Sequence, residues 1–423
     1  MSNGMQVNHL AENIRHSNRV TFLTSIFKKG LKSKLSNLVE GYITVRDGEE
    51  SFSFGDSKSD FKANVDIHSQ EFYTMTGSGG ALGIAEAYIL GYWSADDVVA
   101  LMRILLKNRS ILLSINNGLA KILNPINKII HKSRQNTLSG SKDNILAHYD
   151  LSNKFYKLWL DPTMTYSCAY FSSSDSKLED ASIEKLDRIC RKLKLSDKDN
   201  ILEIGTGWGS FSIHAAKKYG CQVTTTTISD AQYEYAKSRI IEEGLDSKIT
   251  IINKDYRTLD GFYDKIVSIE MIEAVGYEFI PVYFKKLSSL LKPNGLMALQ
   301  GITYNDQNFD SYKDSVDFIK KYIFPGSCLI SVSQIIDVIK TKTDLSMIDM
   351  EDITRHYAET LKRWRNNFME ALPEVKEMGY SRSFIKMWEF YFLYCEAGFL
   401  ERNIGDVQMV FAKSGARDIN VEY

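Results

Sequence analysis

The stretch NILEIGTGWGSFSIHAAKKYG, residues 200–220, decides the fold. NILEI is an apolar run of strand length, GTGWG is a glycine turn, and SFSIHAAKKYG has helical spacing and stops at Gly220. The same alternation continues downstream. CQVTTTTIS (221–229) reads as a strand, AQYEYAKSRIIEEG (231–244) as a helix, and ITIINKD (249–255) and YDKIVSIEMI (263–272) as strands. FIPVYFKKLSSLLKPNG (279–295) then reads as a helix and LMALQGITY (296–304) as a strand. Strands alternating with helices predict an α/β fold with a doubly wound, mostly parallel sheet, whose ligand sits over the carboxyl ends of the strands.

Within the turn, Gly205 and Gly207 let the backbone pass close to a bound molecule. The spacing is GxGxG and not the GxGxxG of dinucleotide sites. With Glu203 before the first glycine and no phosphate-cradling pattern, the turn favours a methionine–ribose ligand over a dinucleotide. Asp255, at the end of the strand ITIINK, stands where an acidic side chain can grip a ribose or adenine.

A chain of 423 residues exceeds what one core usually organises, so two domains are expected. The composition loosens from Ile111 to Ser141, around Gly118, Pro125 and Gly140. This reads as a linker, and the expected division is an N-terminal domain at 1–115, a linker at 116–143 and a second domain at 144–423. In the first domain, ITVRDG (43–48) and FKANVDIHS (61–69) look like short strands. The glycine-rich TGSGGALG (76–83) looks like a turn leading into a helical AEAYILGYWSADDVVALMRILLKN (85–108), so a smaller α+β domain is expected. TGSGG has neither the preceding strand nor the following Lys-Ser/Thr of a phosphate loop. Phe22, Leu23, Ile26, Phe27, Leu31 and Leu35 recur at helical spacing with Lys28, Lys29, Lys32 and Lys34 between them. Such a helix can lie on anionic lipid or pack against its own domain with a solvated basic face.

Lys+Arg 52 against Asp+Glu 53 gives no global reason to expect nucleic acid. Cys168, Cys190, Cys221, Cys328 and Cys395 are scattered, without the spacing of a disulfide framework or a metal site. The N-terminal residues contain no apolar signal segment and no run is long enough to cross a bilayer. A cytoplasmic protein with at most peripheral membrane contact is expected.

Eight strings carry a family resemblance, in order: HYDLSNKFYKLWLDPTMTYSCAYF, ILEIGTGWGSFSIHAAKKYG, TISDAQ, KDYR, IVSIEMIEAVG, KYIFPGSCL, HYAETLKRW and CEAGFLERNIGDVQMVF. They run from His148 to Phe411, and GGALGIAEAYILGYWSADD (79–97) extends the likeness to the N-terminal domain. The chain resembles the cyclopropane-fatty-acyl-phospholipid synthases and their mycolic acid relatives, which implies a Rossmann-like class I S-adenosylmethionine-dependent methyltransferase domain. The activity implied is transfer of the methyl carbon of S-adenosyl-L-methionine to the double bond of an unsaturated phospholipid acyl chain, closing a cyclopropane ring. The implied setting is a homodimer, peripheral on the inner face of the membrane.

The resemblance also implies roles for particular residues. Tyr166 and Ser167 would contact the methionine part of the cofactor, above Gly205 and Gly207. Thr227, Ile228 and Gln232 would line its ribose and adenine, bordered by Asp255 and Tyr256. A bicarbonate ion would serve as base, held by Cys168, Glu273, Gln300, Ile302 and Tyr357. Glu273 would accept the hydrogen of the ion and Tyr357 would donate to it. Cys395 is a catalytic candidate or a small buried hydrophobe. The chain departs from the better known bacterial members in carrying Gln300 where they have His; an amide donates a hydrogen bond but relays no proton. Loss of a different proton would give a methyl- or methylene-branched chain in place of a ring. A catalytically silent lipid-binding protein is the rival of another class.

Overall fold

The computed structural model describes residues 22–116, 151–417, 419 and 421. They fall into two compact units. The first comprises 22–116, 314–323 and 368–403; the second comprises 151–313, 324–367 and the residues from 404 onward. The expected linker lies almost wholly outside the described residues. The stretch expected to form one continuous second domain is interrupted, because two of its segments pack with the first unit.

In the first unit, helix α1 (Phe22–Leu35) precedes strands β1 (Tyr42–Asp47), β2 (Glu50–Gly55) and β3 (Lys62–Ile67). Helix α2 (Glu71–Ile89), strand β4 (Trp93–Ala95) and helices α3 (Val98–Lys107) and α4 (Arg109–Asn116) follow. The sheet order is β2-β1-β3-β4. TGSGGALG is not the expected free-standing turn: it lies within α2, whose two halves meet at a kink where Gly80 has φ 61°. The helix expected over 85–108 is broken by β4, which pairs with β3. A later helix, Arg382–Leu400, packs against α2 and α3, and Lys321 and Tyr322 both reach Glu86 of α2, at 2.7 and 2.6 Å. The lysines of α1 are largely spent inside this unit. Lys28 pairs with Asp47 at 2.5 Å, Lys32 with Glu50 at 3.2 Å, and Lys34 donates to the Ser114 carbonyl at 2.6 Å. Among the described residues, no helix is long and apolar enough to cross a membrane.

The second unit begins with α5 (Asn153–Lys157) and α6 (Leu178–Lys192). Strands β5 (Asn200–Ile204), β6 (Gln222–Thr227) and β7 (Ile249–Asn253) alternate with α7 (Ser210–Tyr219) and α8 (Asp230–Glu242). Then come β8 (Tyr263–Ile269), α9 (Ile280–Leu290), β9 (Leu291–Tyr304), α10 (Val332–Lys342), β10 (Leu345–Asp352), α11 (Thr354–Glu370) and β11 (Ile404–Lys413). The sheet order is β10-β11-β9-β8-β5-β6-β7. Strands β5 to β9 pair in parallel, while β11 runs antiparallel to β9 and β10 antiparallel to β11. This is the expected α/β, mostly parallel sheet.

Successive residues of each central strand enter opposite layers of the core. Leu202 and Ile266 join one cluster with Tyr283 and Phe284, and Ile201 and Val267 join another with Leu186 and Phe211. A strand buried on both faces carries apolar side chains to both, as Ile201, Leu202 and Ile204 do here, and its one carboxylate, Glu203, is buried on hydroxyl donors. The chain moves outward from β5 to β6 and β7, then returns to start β8 on the other side of β5. Adjacent β5 and β8 therefore form the topological switch point, where such sheets open a crevice at the carboxyl ends of the strands.

Candidate functional site

The glycine turn forms one wall of that crevice. Gly205 and Thr206 donate backbone N–H groups to the Thr226 carbonyl, both at 3.0 Å, which bends the chain sharply out of β5. Gly205 and Gly207 have φ of 96° and 53°, values that favour glycine. A Cβ on Gly205 would come within 3.0 Å of Met271 Cγ, whereas a Cβ on Gly207 would meet nothing within 4 Å. The space over Gly207 is a cradle that a side chain would fill. Glu203 supports the turn from below. It is buried, accepts from the hydroxyls of Ser212 and Thr225, and is pushed up to about 7 by burial.

At the end of β6, Thr227 donates its hydroxyl to the Gln232 carbonyl oxygen at 3.0 Å, and Ser229 caps α8. Half-buried Ile228 stands between them. At the end of β7, the Asp255 carboxylate is clamped by Arg257 at 2.6 and 2.8 Å, and the Tyr256 ring packs edge-on against Tyr283 in the core. Thr227, Ile228 and Gln232 thus stand over the carboxyl end of the sheet, and Tyr256 stands at the end of β7 with its ring against Tyr283.

Across the crevice, Tyr166 packs among Tyr156, Trp159 and Trp364, with ring centroids 5.2–5.7 Å apart. The Ser167 hydroxyl accepts from Lys185 of α6 at 2.6 Å. The next residue begins a polar cluster. Glu270 Oε1 accepts from the Cys168 backbone N–H at 2.8 Å and from Gln300 Nε2 at 2.7 Å, while the Tyr357 hydroxyl donates to Glu270 Oε2 at 2.6 Å. Gln300 Nε2 also lies 3.2 Å from Asp406 Oδ2, and its oxygen accepts from Gln408 at 3.1 Å. Glu273 accepts from the Ile302 backbone N–H at 2.5 Å, and its other carboxyl oxygen is buried without a hydrogen-bond partner. Cys168, Glu273, Gln300, Ile302 and Tyr357 are thereby gathered around one locus. Cys395 belongs to the first unit, on the helix Arg382–Leu400, where burial pushes its thiol up.

Three members of the cluster were not singled out from the sequence: Glu270, Asp406 and Lys185. Burial raises the pKa of Glu270, against the pull of the fully buried Lys185 and the three donors. Burial and the neighbouring Glu270 push Glu273 up to about 8. Asp406 is driven well above the usual carboxylate range by burial, Glu270 and Glu273. The Cys168 thiol is raised by burial and by the carboxylates of Asp406 and Glu270, which makes it a poor nucleophile at neutral pH. A signal for Glu270 was present: it is a carboxylate at the end of a central strand.

The cradle over Gly207 and the polar end of β6 fit the methionine and ribose parts of S-adenosylmethionine. The donors matched to bicarbonate do not fit that ion, since the Cys168 N–H, the Gln300 amide and the Tyr357 hydroxyl are already given to Glu270.

Comparison with known proteins places the chain among relatives. The family model for mycolic acid cyclopropane synthetase matches residues 136–409. The chain is 35% identical over 350 residues to tuberculostearic acid methyltransferase UfaA1 of Mycobacterium tuberculosis, covering 80% of each. It is 33% identical over 363 residues to the cyclopropane-fatty-acyl-phospholipid synthase of Escherichia coli, covering 85% of this chain and 90% of that protein. Among solved structures, mycolic acid cyclopropane synthase CmaA1 complexed with SAH and CTAB superposes with a TM-score of 0.60 at 28% identity, over 64% of this chain and 98% of the other.

Proposed function

Because the chain belongs to the mycolic acid cyclopropane synthetase family, we propose that it adds a one-carbon unit to the double bond of an unsaturated phospholipid acyl chain and closes a cyclopropane ring. It is an S-adenosylmethionine-dependent enzyme. The observation that carries the reading is the placement of the carboxylate cluster. Met271, next to Glu270, lies against Gly205, so the strand end that carries Glu270 meets the glycine turn.

When bound, S-adenosylmethionine supplies an electrophilic methyl carbon. An alkene is a feeble nucleophile and must be held close to that carbon in a dry pocket. Tyr166, half-buried and backed by the fully buried rings of Tyr156, Trp159 and Trp364, offers an aromatic face, and a π face of this kind can stabilise a carbocation. A carbocation then needs a proton acceptor beside it, and the cluster holds Glu270 and Glu273.

A second reading, methyl or methylene branching, rests on Gln300, which relays no proton, and on the likeness to UfaA1. Expression in a host that lacks cyclopropane lipids, followed by gas chromatography and mass spectrometry of its fatty acids, separates the two. We expect ring-containing chains whose new carbon survives mild hydrogenation intact. A methylene branch would be reduced under the same conditions, and its appearance would reverse the assignment.

Access to phospholipid is assigned to the first turns of α1. Phe22, Leu23 and Ile26 are exposed there at 82%, 54% and 46%, a cluster of apolar side chains that the described residues of its unit leave uncovered. This apolar patch, more than the paired lysines, is the surface for peripheral membrane contact. Full burial of one such side chain is worth about 1.5–3 kcal/mol, so replacing Phe22 and Ile26 together by serine should weaken cosedimentation with unsaturated phospholipid vesicles at least tenfold. Undiminished cosedimentation of that variant would remove α1 from the membrane contact.

A further inference from the structure

We infer that Glu270 is itself the proton acceptor of the reaction, its carboxylate standing in the place where a bound bicarbonate would otherwise be held. The inference rests on the acyl-chain reading above and deepens it. Its first support is convergence: the Cys168 N–H, the Gln300 amide and the Tyr357 hydroxyl all point at the two oxygens of this one side chain, at 2.6–2.8 Å. An anion site whose donors are saturated by an internal carboxylate has no donors left for a free ion. A second anion would also sit beside Glu270, Glu273 and Asp406, where burial and then like charges already drive pKa values upward.

The backbone gives independent support. Glu270 has φ 47°, a left-handed conformation that favours glycine and costs other residues about 1–2 kcal/mol. It is fixed there by its own N–H, which donates to the Gln300 carbonyl at 2.8 Å. Strain of this kind concentrates where a side chain must be aimed. Cys168, Gln300, Tyr357 and Asp406 are buried, whereas Glu270 remains partly exposed, and it follows directly on the strand end that faces the glycine turn.

A carboxylate offers about four lone-pair sites. Two on Oε1 and one on Oε2 are engaged, which leaves one on Oε2. In the step assigned to it, the π pair of the alkene forms a bond to the methyl carbon as the sulfur–carbon bond breaks, leaving a carbocation on the neighbouring carbon. Glu270 Oε2 takes a proton from the new methyl group, and the released C–H pair closes the third side of the ring. The proton then leaves Glu270 for solvent. Burial raises the carboxyl pKa and makes it a stronger base, and the charge of Lys185 opposes that rise.

The test uses the full-length enzyme with S-adenosylmethionine and vesicles of an unsaturated phospholipid, in buffer stripped of dissolved carbonate and in the same buffer with bicarbonate restored. The wild type should make product at the same rate in both. Glu270→Gly, which suits the backbone conformation, should keep its affinity for S-adenosylmethionine by calorimetry, lose about 100- to 10,000-fold in rate, and recover part of it with added bicarbonate or formate. Wild-type activity that falls on stripping and returns with bicarbonate would overturn the assignment. So would a loss in Glu270→Gly that neither anion restores, since the side chain would then be only a clamp. A wild type that forms no lipid product under either condition instead refutes the acyl-chain reading.

Discussion

Gly207→Val should abolish binding of S-adenosylmethionine while leaving a folded protein. A Cβ at this position meets no protein atom within 4 Å, so the added methyl groups would project into open space that the cofactor is expected to fill. The backbone there is left-handed, with φ 53°, which a β-branched residue resists. Gly207→Asn serves as the control, because asparagine tolerates that conformation but still carries a side chain into the cradle. Both variants should lose more than about 100-fold in affinity by calorimetric titration, equivalent to about 2.7 kcal/mol. If Gly207→Asn binds as the wild type does, the cofactor lies elsewhere. Gly205 is a less clean probe, since a side chain there would also strike Met271.

The second large effect is expected at Lys185, which is completely buried and whose charge lowers the pKa values of Glu270, Asp406 and Glu203. Lys185→Met keeps much of the volume and removes the charge. Breaking one side of a buried charge pair leaves the other uncompensated and costs about 3–5 kcal/mol. The direction with pH follows from the carboxylates. Without the cation their folded-state pKa values rise further above the unfolded ones, so the folded state holds protons that the unfolded state releases, and stability is lost as pH rises above the ordinary carboxylate range. Urea denaturation at pH 8 should show the full penalty, and at pH 5 a smaller one. A loss under about 1 kcal/mol at pH 8 would mean that the carboxylates are neutral in the wild type as well.

Much of the second unit could be read in advance because its signals are local. A strand buried on both faces needs an apolar run, a helix after it needs a stop, and a backbone that must bend around a ligand needs glycine; residues 200–220 supply all three within one short stretch. What escaped the sequence depends on contacts between distant segments. Lys185 lies in LEDASIEKLDRICRK, among Glu184, Asp187 and Arg188, and looks like part of a solvated face until α6 is packed. Asp406 and Gln408 have the alternation of one strand face. Only the register of β11, which sets Asp406 opposite Ile302 and Gln408 opposite Gln300, brings them to the cluster. In the kinked α2, three glycines within 77–80 are a strong local breaker signal, overridden by packing in a helix that buries Phe72, Tyr73 and Tyr88.

The discontinuous first unit bears on how the protein is made. Its helix Arg382–Leu400 is encoded near the end of the chain, while α2 and α3, on which it packs, are encoded near the beginning. Domains usually fold as they leave the ribosome, N-terminal first, at about 5–20 residues per second. Here translation of the intervening stretch takes roughly 15–50 s, and through that interval the apolar faces of α2 and α3 await their partner. The nascent N-terminal segment is therefore a natural client for a chaperone, since the helix that completes its unit is made only after most of the second unit.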